Sequence, residues 1–449
     1  MLTSKIGSNT AFKIQCQLAK TIPATLISRT KAGVWRRGTG SPCRQLEFAV
    51  DYLSRLNRHQ ITETTDSEWE VIMSLDNRDR NLVIVQLSGG NDYLNTLVPY
   101  NNGLYYDFRS SIRIEPEDVL PLNDDVGFRS NMEPVKKLWE EDAVAIINGI
   151  GYPVPNRSHF RSMDIWHTAL PEDIGTEGWL GRAIREIDPG GENVLTGVNF
   201  GRGLPRALGC RGVPVASVGN LETYGLFPDI NDEMLRKYAL DTFSKMYGGA
   251  NGGDKVMEFL GQTGTDALKG ADILRTAPEK YSSSIEYADN PIAQSLKSVA
   301  QVMFADLGTR IYYTQHGSFD THAGEIESHT KLWDEVAGGI GDFMDDLREN
   351  GHSDNTAILV FSEFGRRIRD NGSGTDHGSG GLAFMVGDQV RGGMYGEYPS
   401  LREEDHLEGD LHFNNDFRQT YTSILEQWLH LDAAPIVNGR FEAFDLFAN

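Results

Sequence analysis

From about residue 80 onward, short β-branched and apolar runs alternate with stretches in which apolar residues recur every three or four positions. Continuous apolar runs of strand length fit strands buried on both faces, and the periodic stretches fit amphipathic helices packed against them. The predicted strands cover residues 82–87, 143–150, 310–315, 356–361 and 382–386. The clearest helix lies between Ser328 and Asn350, where Leu332, Val336, Ile340, Phe343 and Leu347 share one face and Ser328 is placed to cap the first turn. Its three glycines weaken it without breaking it. Strands alternating with helices predict an α/β fold: a three-layer sandwich with a mostly parallel central sheet. Residues 225–305 read differently, as a polar, helix-rich insertion or lid broken by Gly248-Gly249 and Gly252-Gly253, and a helix over residues 416–429 is expected to close the fold.

Composition narrows the class. With 39% hydrophobic and 24% charged residues the chain can bury a large core, and no apolar run approaches the roughly 18 residues of a membrane-spanning helix. Charge is unevenly spread: residues 1–46 hold eight Lys or Arg and no acid, leaving 34 basic against 64 acidic residues in the rest. Such a core repels nucleic acid and anionic membrane, so neither is an expected partner. Residues 1–72 read as a basic head outside the domain at 73–449: an organellar transit segment, sequence upstream of a true start at Met73, or a plain basic tail. Arg36-Arg37 is followed by Gly-Thr-Gly-Ser-Pro rather than an apolar stretch, which argues against an intact export signal and for a cytoplasmic location. Cys16 and Cys43 lie in the head, leaving Cys210 alone in the core, so neither a core disulfide nor a Cys-rich zinc site is expected.

In an open α/β sheet, ligands gather beyond the carboxyl ends of the strands, so the polar residues following each strand are the candidates. The first strand leads into Ser88-Gly89-Gly90-Asn91-Asp92, where the glycines let backbone approach closely and Asp92 offers a hard oxygen. The second leads into Pro155-Asn156-Arg157-Ser158-His159-Phe160-Arg161 and a helix. Ser158 at a helix N-terminus is a candidate nucleophile for a phosphoryl or sulfuryl group, with Arg157 and Arg161 adding positive charge. Adjacent helical side chains point apart, so Ser158 and His159 are not expected to form a catalytic pair. Near residue 315 follow Asp320 and His322, a carboxylate and an imidazole that suit zinc, manganese or iron better than calcium, with His329 at the head of the next helix. The fourth strand ends at Glu363, and His377 stands among glycines further on. Each piece alone also fits an ordinary turn, cap or surface ion pair. It is their succession, strand end after strand end, that points to a metal-dependent site.

At these motifs the chain resembles the bacterial family known as domain of unknown function 1501, part of the alkaline-phosphatase-like and sulfatase-like superfamily. The residues concerned are Leu87-Ser-Gly-Gly-Asn-Asp92, Pro155-Asn-Arg-Ser-His-Phe160, Phe319-Asp-Thr-His322, Ser362-Glu-Phe-Gly-Arg366 and Gly374-Thr-Asp-His-Gly378. The resemblance implies an alkaline-phosphatase-like fold and two divalent metal ions: Asp92 and Glu363 on one, Asp320, His322 and His377 around the other, with Ser158 the nucleophile between them. Paired cations can hold the attacking and leaving oxygens of an in-line displacement. Where the superfamily's phosphatases carry an Asp-His pair, this chain has Glu363-Phe364, so the metal on Asp92 lacks an imidazole unless Asp376 substitutes. The Cys/Ser-x-Pro-x-Arg signature of formylglycine sulfatases is missing.

The leading expectation is a hydrolase or transferase of small phosphate or sulfate esters. The alternative is a non-catalytic binding protein with an incomplete metal site, motivated by Phe364. A serine hydrolase of the α/β-hydrolase kind is disfavoured, because the core lacks a G-x-S-x-G elbow.

Overall fold

Seven consecutive buried residues, Asn81–Leu87, form β1. Their side chains part by parity: Val83, Val85 and Leu87 join one hydrophobic cluster, while Leu82 and Ile84 join another. A strand apolar on both faces needs cover on both, which produces the expected three layers. The structure, a computed structural model, describes residues 80–221, 232–248 and 261–448 apart from 262, 265, 267–269 and 272. The basic head at 1–72, Met73 and the Gly248-Gly249 and Gly252-Gly253 breaks lie wholly or partly outside those residues.

The remaining strands are β2 (Leu97–Val98), β3 (Val119–Pro121), β4 (Gly127–Arg129), β5 (Val144–Gly151), β6 (Gly197–Phe200), β7 (Ala216–Val218), β8 (Ile311–His316), β9 (Thr356–Ser362), β10 (Gly381–Val386), β11 (Gly393–Tyr395) and β12 (Asn415–Asp416). The five expected strands are β1, β5, β8, β9 and β10, with boundaries shifted by at most one residue. The main sheet runs β11-β5-β10-β9-β1-β8-β6-β7, with β12 also on β5, and β2-β4-β3 form a small separate sheet. Every pairing in the main sheet is parallel except those of β10, which is antiparallel to both β5 and β9. The residues leading into β10 therefore lie at the same sheet edge as the residues leaving its neighbours.

Among the described residues the α-helices of six residues or more are α1 (Gly103–Phe108), α2 (Glu133–Glu140), α3 (His159–Thr168), α4 (Trp179–Ile187), α5 (Glu233–Gly248), α6 (Pro291–Phe304), α7 (Glu325–Asn350) and α8 (Phe417–Ser423). Helices α2, α6 and α7 supply one apolar layer; α3, α4 and α8 supply the other. The face of α7 is as predicted, but the helix begins at Glu325, capped by the left-handed Gly324, so Ser328 is an interior residue and not the cap. The expected insertion at 225–305 ends earlier than its upper bound, because α6 buries Ile292, Leu296, Val299 and Val302 completely and belongs to the core layer. At the C-terminus Asp416 and Gln419 form a capping box for α8, and the expected helix then loosens into a π-turn over Ile424–Trp428. Among the described residues no helix is long and apolar enough to cross a membrane.

Candidate metal centre

The loops at the carboxyl edge fit together because two glycines let them. Gly89 and Gly90 have φ of +125° and +80°; a Cβ on Gly89 would lie 2.3 Å from the Asp320 amide nitrogen and one on Gly90 2.4 Å from the Phe364 ring. Only glycine takes both the dihedral and the approach without strain. The β1 loop therefore lies directly against the loop after β8, tied by the Phe319 amide donating to the Ser88 carbonyl at 3.1 Å. That contact aims Asp320 and His322 outward. Helix α3 is anchored from below by Trp166, which stacks on Phe361 and Phe417 at centroid distances of 5.0 and 4.5 Å and fixes the direction in which His159 leaves its first turn.

Three imidazoles and a carboxylate meet at this edge. The Nε2 atoms of His322 and His377 are 3.0 Å apart, each 3.0 Å from Asp320 Oδ1, and His159 Nε2 stands 3.4 Å from Asp320 Oδ2. Among the described residues, His159, Asp320 and His377 form a metal-competent group, their donor atoms all within 4.8 Å of one another. Tetrahedral ligands around zinc are about 3.3 Å from each other, as metal–nitrogen bonds of about 2.0–2.1 Å require, and the spacing here is of that order.

The outer nitrogens of the three rings are already spoken for. His377 Nδ1 donates to the Arg157 carbonyl at 2.7 Å, His159 Nδ1 to Glu363 Oε1 at 2.9 Å and His322 Nδ1 to Asp376 Oδ1 at 3.0 Å. These partners can only accept, so the Nδ1 protons are assigned by them and each Nε2 turns its lone pair inward. A metal-ligating histidine shows this arrangement, with a carboxylate or carbonyl behind the ring fixing tautomer and orientation. His159 Nε2 is sealed from solvent and makes no hydrogen bond. Lone pairs facing one another and a carboxylate across 3.0–3.4 Å repel unless a cation is shared between them. The donor set thus fits one divalent transition metal.

Electrostatics point the same way. Burial works against ionisation of Asp320, but the hydrogen bond and charge of Arg366 help outweigh it and hold the carboxyl at about 2. Arg366, with a fully buried side chain, reaches Asp320 Oδ1 at 2.8 Å from below. The hydrogen bond to Glu363, and the nearby Asp320 charge, raise the His159 pKa above its ordinary value. The imidazoles of His159 and His377 also rest on the Phe364 ring, at centroid distances of 5.0 Å each. Phe364 is thus the floor that orients two rings.

Of the residues expected from sequence, Asp320, His322 and His377 are brought together, and Glu363 stands behind His159 with both oxygens engaged by Gly89 N, His159 Nδ1 and Ser362 Oγ. Asp92 is not brought to the cluster. It is fully buried and its two oxygens are taken by Arg109 Nη1 and Nη2 at 2.5 and 2.8 Å, so Asp92 and Glu363 do not present a shared cation site. Burial opposes ionisation of Asp92, yet Arg109 holds its carboxyl well below the usual range. Arg157 turns its guanidinium to Asp410 and contributes its carbonyl to His377 instead. Ser158 is the exposed N-cap of α3, without a side-chain cap bond, while the next residue turns inward. Asp376, considered as a substitute ligand, orients His322. His329 is fully buried and hydrogen-bonds Asn91 Oδ1 at 3.0 Å, holding the β1 loop to α7. The residue that sequence reasoning passed over as a ligand is His159. It follows a strand as the other candidates do, but the same signal falls equally on its neighbour Ser158.

Residues 228–427 match the family described as protein of unknown function, DUF1501. The matched DUF1501 segment holds Asp320, His322, Glu363 and His377, whereas His159 comes from the chain ahead of it. No curated protein matches the chain. Among solved structures it is similar to the PsFucS1 sulfatase from Pseudoalteromonas sp., with 11% identity over 84% of this chain and 72% of that one and a TM-score of 0.36. It is also similar to the phosphonate monoester hydrolase SpPMH from Silicibacter pomeroyi, with 11% identity, coverage of 80% and 75% and a TM-score of 0.36. A protein in the alkaline phosphatase superfamily from Vibrio parahaemolyticus aligns at 10% identity, covering 81% and 69%, with a TM-score of 0.35.

Proposed function

We propose that His159, Asp320, His322 and His377 hold a divalent transition metal and that the protein is a metal-dependent hydrolase of small phosphate or sulfate esters. The reading is carried by the sealed Nε2 of His159, which faces Asp320 without a hydrogen bond while Glu363 takes the Nδ1 proton. A donor set of imidazoles with one carboxylate suits zinc, manganese or iron better than calcium. When bound, such an ion supplies Lewis-acid polarisation of a phosphoryl or sulfuryl oxygen.

The side chains of Asp320 and His322 are 42% and 43% exposed, so the cluster opens to solvent rather than being sealed as a purely structural site would be. Ser158, the exposed residue before His159 at the N-terminus of α3, is the nucleophile of this reading. The acidic balance beyond residue 46 favours a small ester over a polyanion. A second reading, a metal-binding protein without turnover, draws on the Ser158 hydroxyl, which no cap bond orients.

Metal add-back to chelated protein, followed by a panel of phosphate and sulfate monoesters and diesters, separates the two. Metal-dependent turnover that Ser158→Ala abolishes while metal stays bound supports the enzyme. Metal binding with no turnover on any ester supports the second reading, and undiminished turnover in Ser158→Ala removes that residue from the mechanism.

A further inference from the structure

The resemblance at the sequence motifs implies a second cation on Asp92 and Glu363, and the structure disagrees at the level of individual atoms. Arg109 follows α1 directly and is completely buried. Its Nη1 and Nη2 take both oxygens of Asp92, Nη2 also donates to the Arg367 carbonyl at 2.9 Å, and Nε donates to the Ile368 carbonyl at 2.6 Å. The guanidinium is thus held from both sides, by backbone on one and carboxylate on the other, in a bidentate geometry that fixes position as well as charge. The Asp92 side chain itself is sealed, and Leu94 N donates to its Oδ1 at 3.2 Å.

The neighbouring acid offers a cation no free oxygen. Glu325, fully buried 3.9 Å from Arg109 Nη1, accepts from Asn95 Nδ2 at 3.2 Å and Thr375 Oγ1 at 2.7 Å. Asp92, Arg109 and Glu325 thus form a buried set whose polar atoms are engaged with one another and with Asn95 and Thr375. Glu363, the other expected ligand, spends its oxygens on Gly89 N, Ser362 Oγ and His159 Nδ1. A cation entering here would have to expel a buried guanidinium from its bidentate hold on Asp92 and displace the donors already on Glu325 and Glu363.

We infer that the centre is mononuclear, with Arg109 supplying at Asp92 the positive charge that a second metal ion would have supplied. The inference rests on the metal-site reading above and adds the nuclearity to it. The connection to the histidine cluster runs through Thr375, which bridges Glu325 to Arg366, and Arg366 in turn holds Asp320. The built-in cation is therefore wired to the same carboxylate that the metal uses.

The test is metal stoichiometry on the full chain. Chelated protein is loaded with excess Mn2+ or Zn2+, freed of loose ion by gel filtration and analysed by elemental mass spectrometry, with electron paramagnetic resonance on the Mn2+ form. About one equivalent with the spectrum of an isolated Mn2+ ion is expected, and His377→Ala is expected to bind none. Two equivalents with a spin-coupled spectrum, or a full equivalent retained in His377→Ala, overturn the inference while leaving a metal centre in place. No metal bound by the unaltered protein overturns the metal-site reading itself, and the inference with it.

Discussion

Replacing Glu363 by glutamine isolates one physical quantity, the negative charge behind His159. In the native structure Glu363 Oε1 accepts from Gly89 N and His159 Nδ1, both at 2.9 Å, and Oε2 faces Ser362 Oγ at 3.0 Å. The Ser362 proton has an alternative acceptor, the Leu87 carbonyl at 2.6 Å, so a glutamine amide can donate to the serine oxygen in place of the lost acceptor. Every hydrogen bond is then kept and the volume is unchanged; what disappears is the charge that makes the His159 imidazole a stronger base. Removing the carboxylate behind a ligating histidine costs about 10- to 100-fold in metal affinity, or roughly 1.4–2.7 kcal/mol. We expect Glu363→Gln to lie near the lower value and Glu363→Ala at or beyond the upper, since alanine also strands the buried Gly89 N–H. Competition against a chromophoric chelator gives the affinity, and the melting temperature of the metal-free forms checks the fold. Unchanged affinity in Glu363→Gln, with both forms folded, would refute the idea that Glu363 works through His159 on a metal.

Three further outcomes follow from the same geometry. His159→Ala should weaken metal binding by more than Glu363→Gln, because it removes the donor and not its support; equilibrium dialysis with Zn2+ measures the difference. Gly89→Ala should destabilise the protein by more than the roughly 1–2 kcal/mol that a left-handed backbone costs an L-residue, since its Cβ would also meet the Asp320 backbone at 2.3 Å. Urea melts report the loss, and a value near zero would mean that the β1 and β8 loops are free to part. His167 is buried between Gln86 and Tyr313, and burial, aided by the Arg206 charge, lowers its pKa from 6.5 to about 3. The unfolded chain therefore binds a proton that the native state refuses, so this contribution is complete above pH 6.5 and falls as the pH drops toward 3. By pH 5 it has declined by roughly 2 kcal/mol. His167→Gln should flatten the dependence of stability on pH between 7 and 5, and an unaltered slope would contradict the assignment.

Sequence made the sheet legible to within a residue because its central strands are apolar on both faces, a pattern few other structures produce. It also pointed to Asp320, His322 and His377, since strand-end carboxylates and imidazoles in glycine-rich loops have little structural work to do. What it hid were partnerships set by tertiary geometry. Nothing local says that Arg109, seventeen positions past Asp92, closes on that carboxylate; both residues read as ordinary polar positions until the two segments pack. The choice between Ser158 and His159 turns on the rotation of one helix about its axis, which Trp166 settles from seven residues away by stacking on Phe361 and Phe417. The N-terminal edge of α7 departs from the expectation for a related reason: Gly324 ends the loop by adopting a left-handed conformation, and a glycine gives no side-chain cap to recognise.

The reversed direction of β10 means that His377 reaches the rim on the way into a strand, while Asp320 and Glu363 reach it on the way out. Lengthening or shortening the connection between Arg366 and Gly380 would slide that imidazole while the pairing of Ile358–Val360 with Phe384–Val386 stayed in register. Among descendants of this architecture the donor set could thus drift in composition at one corner while the scaffold stayed intact, leaving chemistry free to diversify faster than shape.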